Sequence, residues 1–310
     1  MSICAISIEL QHFIEPHTGI IENQRLCAKT FCILGAEIGG FARCSPAISR
    51  RRYKAMYGVN PLKCSILWRL VEKPQGARPC HLLWALMFAK LYLPEETMSS
   101  LCGVQEKTYR KWVWLMLEKL SAINSLIVWE RRHINSNAIN KCHVSIDGTD
   151  FRIREPKPFW PGWYSHKFKG PGVRYEVGIA IQTGWIVWIN GPYPYGAFPD
   201  LRIVREALIY ELDDGEYFIA DGGYSGDGGN HCITPTGYHE YSDRQISAVR
   251  ARHEAINSRF KNWKALETRW RHKPEKHGIL FRMVANIVQL GLQADSPAFS
   301  VEYNELEFVL

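Results

Sequence analysis

The pattern of apolar and polar positions changes character along the chain. Up to about residue 49, short apolar runs are broken by His17-Thr18-Gly19 and Gly39-Gly40, and no period dominates. A poorly defined N-terminal arm over 1–49 is expected. From Arg50 onward, three- and four-residue steps set in. Tyr53, Met56 and Tyr57 lead to Gly58, and Cys64, Leu67, Trp68 and Val71 follow Pro61, which predicts two helices. Residues 73–79 read as a loop and 82–91 as a buried helix. Between Pro94 and Trp112 the apolar positions are Met98, Cys102, Val104, Tyr109 and Trp112, with Gly103 among them. They predict two short helices in helix-turn-helix form, with Gln105, Lys107, Thr108, Arg110 and Lys111 on the exposed side of the second. This helical, helix-turn-helix-like region is expected over 50–134.

A polar stretch at 135–140 then gives way to period-two alternation. It predicts a strand over 142–147, continued by 151–153 past a turn at Gly148. Residues 175–182 and 185–189 form a predicted hairpin about Thr183-Gly184. A helix over 201–212 follows, with Asp200 as its cap, and then a strand that ends in Asp221-Gly222-Gly223. Helices over 244–263 and from Pro274 to about 292 close the pattern. Antiparallel strands, a helix, a further strand and more helices predict an α/β domain over 140–303. Its mixed sheet, flanked by helices, has the element order of RNase H-like nucleases.

Composition alters this picture little. Apolar content of 46% and charged content of 22% are ordinary for a folded protein. The nine cysteines show no Cys-x-x-Cys spacing, which argues against a disulfide framework or a zinc site. The longest apolar stretch, 82–89, falls well short of the ~20 residues a membrane span needs. The distribution of charge says more. Residues 243–282 hold eleven Lys or Arg against four Asp or Glu, a net +7 that equals the net charge of the whole chain. A basic field of this kind suits a phosphodiester partner.

Three acids stand in distinct local contexts: Asp147 in the first strand, Asp221 after the later strand, and Glu254 inside the basic helix. Ile246, Val249, His253, Ile256, Phe260 and Trp263 form that helix's packing face. Arg250, Glu254, Asn257 and Lys261 form a second stripe turned ~100° away. Side chains alternate along a strand, so His143, Ser145 and Asp147 share a face, as do Tyr217, Ile219 and Asp221. On neighbouring strands ~4.8 Å apart, the two aspartates would suit a pair of hard cations ~3.5–4 Å apart. Gly148 and Gly222-Gly223 would leave room for a phosphate backbone. Taken alone, Asp before Gly is a turn and Glu among arginines is a surface ion pair. Together and in this order they point to metal-assisted phosphodiester chemistry.

Residues 142–303 resemble the DDE-type endonuclease domain of the PIF/Harbinger class of DNA transposases and their domesticated relatives. The likeness rests on Val144-Ser145-Ile146-Asp147-Gly148-Thr149-Asp150, then on Trp160 with Ser165, Lys167 and Lys169. It continues through Gly191-Pro192, Asp200 and the run from Ala220 to Gly226. Arg252-His253-Glu254 with Asn257, Arg259 and Lys261 completes it, followed by Asn286 and Gln289. The resemblance implies that Asp147, Asp221 and Glu254 are catalytic and hold two divalent ions, Mg²⁺ or Mn²⁺. It leaves Asp150 and Asp200 in supporting roles. It further implies DNA as partner, a nuclear location, and room for a separate DNA-binding partner protein and for a homo-oligomer. Lys107, Arg110, Lys167, Lys169, Arg250, Arg252, Arg259, Lys261 and Lys264 are the expected DNA contacts. The alternatives are a transposase-derived DNA-binding or scaffold protein without activity and, with little support, a glycosidase built on two of the carboxylates.

Overall fold

The computed structural model describes residues 18–42, 44–136, 141–158, 160–224, 231–235 and 240–303. The expected linker at 137–140, the first part of the expected arm, and Ser225-Gly226 of the Asp221 motif lie outside these residues. The chain divides into two compact units. The first runs up to Ile123 and takes back 262–267 and 279–286. The second holds 124–261, 268–278 and the chain from Ile287.

The first unit is helical: α1 (Thr18–Ile38), α2 (Pro46–Tyr57), α3 (Pro61–Leu70), α4 (Pro79–Leu91), α5 (Glu95–Leu101), α6 (Glu106–Ser121) and the short α9 (Lys264–Glu267). The segment expected as an indistinct arm therefore contains a long helix. Its anchors come from α2: Tyr57 donates its hydroxyl hydrogen to Gly35 O at 2.9 Å, and Tyr53 to Phe31 O at 3.2 Å. Phe31 itself is buried and meets Trp68 edge-on. Gly58 ends α2 in the left-handed region at φ 77°, with the Trp263 ring filling the space where a Cβ would stand. Asn60 then caps α3 by accepting from Lys63 N at 2.8 Å, with Pro61 at the first helical position. Residues 82–89 of α4 are all buried. Helices α5 and α6 are joined by Cys102 to Gln105 with Gly103 at φ 65°, and Met98, Tyr109 and Val113 pack inward.

The second unit is built on a mixed sheet of six strands: β1 (Cys142–Arg152), β2 (Tyr164–Ser165), β3 (Gly170–Ala180), β4 (Ile186–Pro194), β5 (Tyr217–Ile219) and β6 (Cys232–Ile233). β1 runs antiparallel to β3 and parallel to β5; β4 and β2 pair with β3, and β6 continues beside β5 in parallel. From Val144 onward alternation assigns the two faces, and a register shift between Cys142 and Val144 turns Cys142 to the other one. Val144, Ile146, Phe218 and Ala220 pack with Val204 and Leu208 of the segment that begins with α7 (Asp200–Glu206). Cys142, Ile181 and Ile219 pack with Ile246 and Val249 of α8 (Glu240–Lys261). This is the RNase H-like α/β arrangement expected. Helix α10 (Pro274–Ala294) contributes residues to both units.

Three details differ from expectation. β1 continues through Gly148 without a turn, because Gly148 pairs with Glu176 and Asp150 with Arg174 across β3. Asp200 is the first residue of a shortened helix rather than its cap, with its carboxylate drawn to Arg174 instead. Residues 129–133 belong with the sheet unit and not with the helices before it. There Arg132 is buried and grips Glu216 at 2.9 and 3.0 Å, while Trp129 Nε1 donates to Glu211 O.

Candidate active site

Asp147 lies in the middle of β1, opposite Val177 of β3, and not at a strand end. Ser145 pairs with Ile219, the last residue of β5, and Asp221 follows two residues beyond that strand's end, near enough to act on the Asp147 carboxyl. Both aspartates fall on the face that α8 covers. The docking of α8 onto this face is specific. His253 is buried and its Nε2 lies 2.9 Å from Ser145 Oγ, two residues before Asp147. Burial drives the His253 pKa down to about 3, so the imidazole is neutral and packs as a polar core residue.

Arg250 and Glu254 are one helical turn apart on the same stripe of α8. Arg250 Nη2 stands 4.0 Å from Asp221 Oδ2, which sets that stripe beside the aspartates. The Glu254 carboxylate is exposed and makes no ion pair or hydrogen bond with another described residue. Asp147 Oδ1 accepts its own neighbour's amide, Gly148 N, at 2.8 Å, and Asp221 Oδ1 accepts from Gly223 N at 2.8 Å. Burial raises the Asp147 pKa to about 7, with further upward pushes from Asp221 and Asp200; Gly148 N–H and Arg250 oppose them only in part.

Among the described residues, no three His, Cys, Asp or Glu side chains are gathered closely enough to hold a metal ion. The donor chemistry nonetheless fits a hard cation. The Asp147 carboxyl on β1 is pushed toward its neutral form by burial and by Asp221, which lies just beyond β5. A third carboxylate, on the helix that crosses them, has no partner among the described residues.

The opposite face of β1 carries a second set of charges. Arg174 donates to Asp150 from Nε at 2.8 Å and from Nη2 at 3.4 Å, while its Nη1 meets Asp200 Oδ2 at 3.1 Å. Asp200 Oδ1 occupies the space that a Cβ at Gly148 would take. That glycine therefore admits a carboxylate, not the phosphate backbone expected there. Glu176 is buried beside it. Its Oε1 accepts from Trp188 Nε1 at 2.6 Å, and burial lifts its pKa to about 8. Sequence reasoning missed Arg174 and Glu176. Their signal was two charges inside an otherwise apolar strand, Val173-Arg174-Tyr175-Glu176-Val177.

The expected DNA contacts divide. Arg252 is corrected: it is 2% exposed and donates to the carbonyls of Ile181 and Phe299, and burial lowers its pKa to about 10. Its place two residues after Arg250 turns it into the core rather than onto the basic stripe. Arg259 is half-buried and donates to Ser296 O at 2.5 Å and Pro297 O at 3.1 Å, so most of its fork serves the backbone after α10. Lys264 pairs with Glu267, and Arg110 with Glu95 at 2.5 Å and Glu106 at 3.4 Å. Lys107, Lys169 and Lys261 are exposed. Lys167 is exposed too, although its Nζ reaches Asp150 at 3.3 Å.

Residues 146–289, which include Asp147, Asp221 and Glu254, match the family model described as DDE superfamily endonuclease. Among solved structures, a pre-cleavage Mos1 transpososome aligns at 11% identity over 90% of this chain and 99% of that chain, with a TM-score of 0.17. No curated protein matches. The resemblance to DDE-type endonucleases thus holds over the matched segment, at the level of the superfamily.

Proposed function

We propose that this chain, whose residues 146–289 match the DDE superfamily endonucleases, cleaves DNA phosphodiesters. Asp147, Asp221 and Glu254 are the proposed catalytic and metal-binding acids, with Mg²⁺ or Mn²⁺ as the ions. The supporting observation is the nearness of Asp147 on β1 to Asp221 just beyond β5, beside a helix whose Arg250 reaches Asp221 and whose Glu254 carboxylate has no partner among the described residues. When bound, two such ions supply an activated water nucleophile and charge stabilisation at the departing 3′-oxygen. The chain's own part is to bring the two aspartates near each other through the pairing of β1 with β5 and to fix α8 beside them through Ser145 and His253. Arg250 balances charge at Asp221 until a cation or a phosphate takes its place. Membership of the PIF/Harbinger class, a nuclear location, a separate DNA-binding partner and self-association belong to the same proposal.

A DNA-binding protein without catalysis is the alternative, favoured by the Arg250–Asp221 contact, which places a guanidinium where a cation would bind. Nicking of supercoiled plasmid with Mg²⁺ and with Mn²⁺ separates the two. Cleavage that falls to the metal-free background in each of Asp147→Asn, Asp221→Asn and Glu254→Gln supports the enzyme. Binding with no cleavage by the unaltered chain supports the alternative.

A further inference from the structure

The aromatic, basic loop before β3 borders a cavity of about 570 Å³ lined by Pro161, Tyr164, His166, Arg174, Tyr195 and Pro199. That volume lies within the ~300–1,000 Å³ typical of small-ligand pockets. Its walls are tied together by the backbone: Gly196 N and Ala197 N both donate to Gly162 O, at 2.9 and 3.0 Å. Tyr164 is 39% exposed and meets His166 edge-on, while the Arg174 guanidinium carbon stands over the Tyr195 ring, 4.2 Å from its centre.

The chemistry of Arg174 selects the occupant. Its nitrogens are engaged by Asp150 and Asp200, so it offers the cavity a plane rather than a fork of free donors. With Arg174 so engaged, no free cation of the lining is left to hold a phosphate, whereas a flat π-system would find the aromatic faces of Tyr164 and Tyr195, with Tyr hydroxyl and His166 ring nitrogen to meet its polar edge. Cations for an attached backbone stand outside, at the exposed Lys167 and Lys169. The cavity lies on the opposite face of β1 from the candidate active site and is linked to it through neighbouring side chains. Arg174 holds Asp200, and Asp200 packs against Gly148 next to Asp147. Bases within a duplex are stacked on one another and cannot present a face. We therefore propose that this cavity takes one unpaired nucleobase of the DNA that the domain acts on, stacked on Tyr164. The proposal rests on DNA being the substrate, but not on catalysis.

The test is binding of the full chain, by fluorescence anisotropy, to two duplexes of the same sequence. One is fully paired and the other carries a single unpaired adenine. The bulged duplex should bind more tightly. Tyr164→Ala should weaken it by about fivefold or more, as expected for loss of one base–aromatic stack, and leave the paired duplex unchanged. Tyr164→Trp should keep the preference. Melting curves of both variants check the fold. Equal affinity of the unaltered chain for the two duplexes would overturn the proposal, as would equal weakening of both by Tyr164→Ala. Failure to bind either duplex would instead remove DNA as substrate, and the cavity's role with it.

Discussion

Asp147 carries the clearest electrostatic signature in the chain. In the folded protein its carboxyl titrates near pH 7, against an ordinary value of 3.8. Ionising it therefore burdens the folded state and not the unfolded one. Its contribution to stability is fully present below pH 3.8 and is lost as pH rises through 7. Each tenfold change in a protonation equilibrium is worth ~1.4 kcal/mol, so the loss is on the order of a few kcal/mol. Thermal melts without divalent metal at pH 8 should show it. Asp147→Asn should melt several degrees above the unaltered chain, and that advantage should vanish near pH 4. Adding Mg²⁺ at pH 8 should raise the melting temperature of the unaltered chain and leave Asp147→Asn where it was. A variant less stable than the unaltered chain at pH 8 would mean that Asp147 already has a compensating cation within the protein.

Strands and helices were the most legible part of the sequence, because burial on one face imposes a period. Alternation in 142–147 and three–four spacing in 246–263 survive as β1 and α8, and the faces they predict are the faces observed. Other features had no local signal. Helix α1 is held by Tyr53 and Tyr57, whose hydroxyls reach carbonyls 22 positions away, so nothing within residues 18–38 announces it. Arg252 looked like one more cation in a basic run. Its buried role depends on two carbonyls, Ile181 and Phe299, that only the fold brings to it. Arg252 should accordingly behave as a core residue. Arg252→Ala leaves the Ile181 carbonyl unpaired in the interior, at ~1–3 kcal/mol, and a loss of that order is expected in urea unfolding. Arg252→Ala with undiminished stability would mean that the helix can be repacked without this clamp.

That Asp147 lies on β1 and that Asp221 follows the strand beside it was readable in advance, whereas the fate of the basic charge was not. Segment 243–282 accounts for the net +7 of the chain, yet three of its eleven cations are engaged within the protein: Arg252 and Arg259 on backbone carbonyls, Lys264 on Glu267. Of the expected DNA contacts in the sheet unit, Lys261 on α8 and Lys167 and Lys169 before β3 face solvent, and Arg250 stands half-buried beside Asp221. Each phosphate contact contributes about −0.9 to the slope of log affinity against log salt on duplex DNA. Replacing Lys167, Lys169 and Lys261 together by Ala should therefore flatten that slope by ~2–3 units if all three touch phosphate. It should weaken binding to all sequences alike, because backbone contacts carry no base information. Arg259→Ala, by contrast, should leave the slope nearly unchanged and lower the melting temperature instead. A salt titration in which Arg259→Ala flattens the slope and the triple lysine variant does not would reverse this division. It would mean that DNA draws Arg259 away from Ser296 and Pro297 on binding.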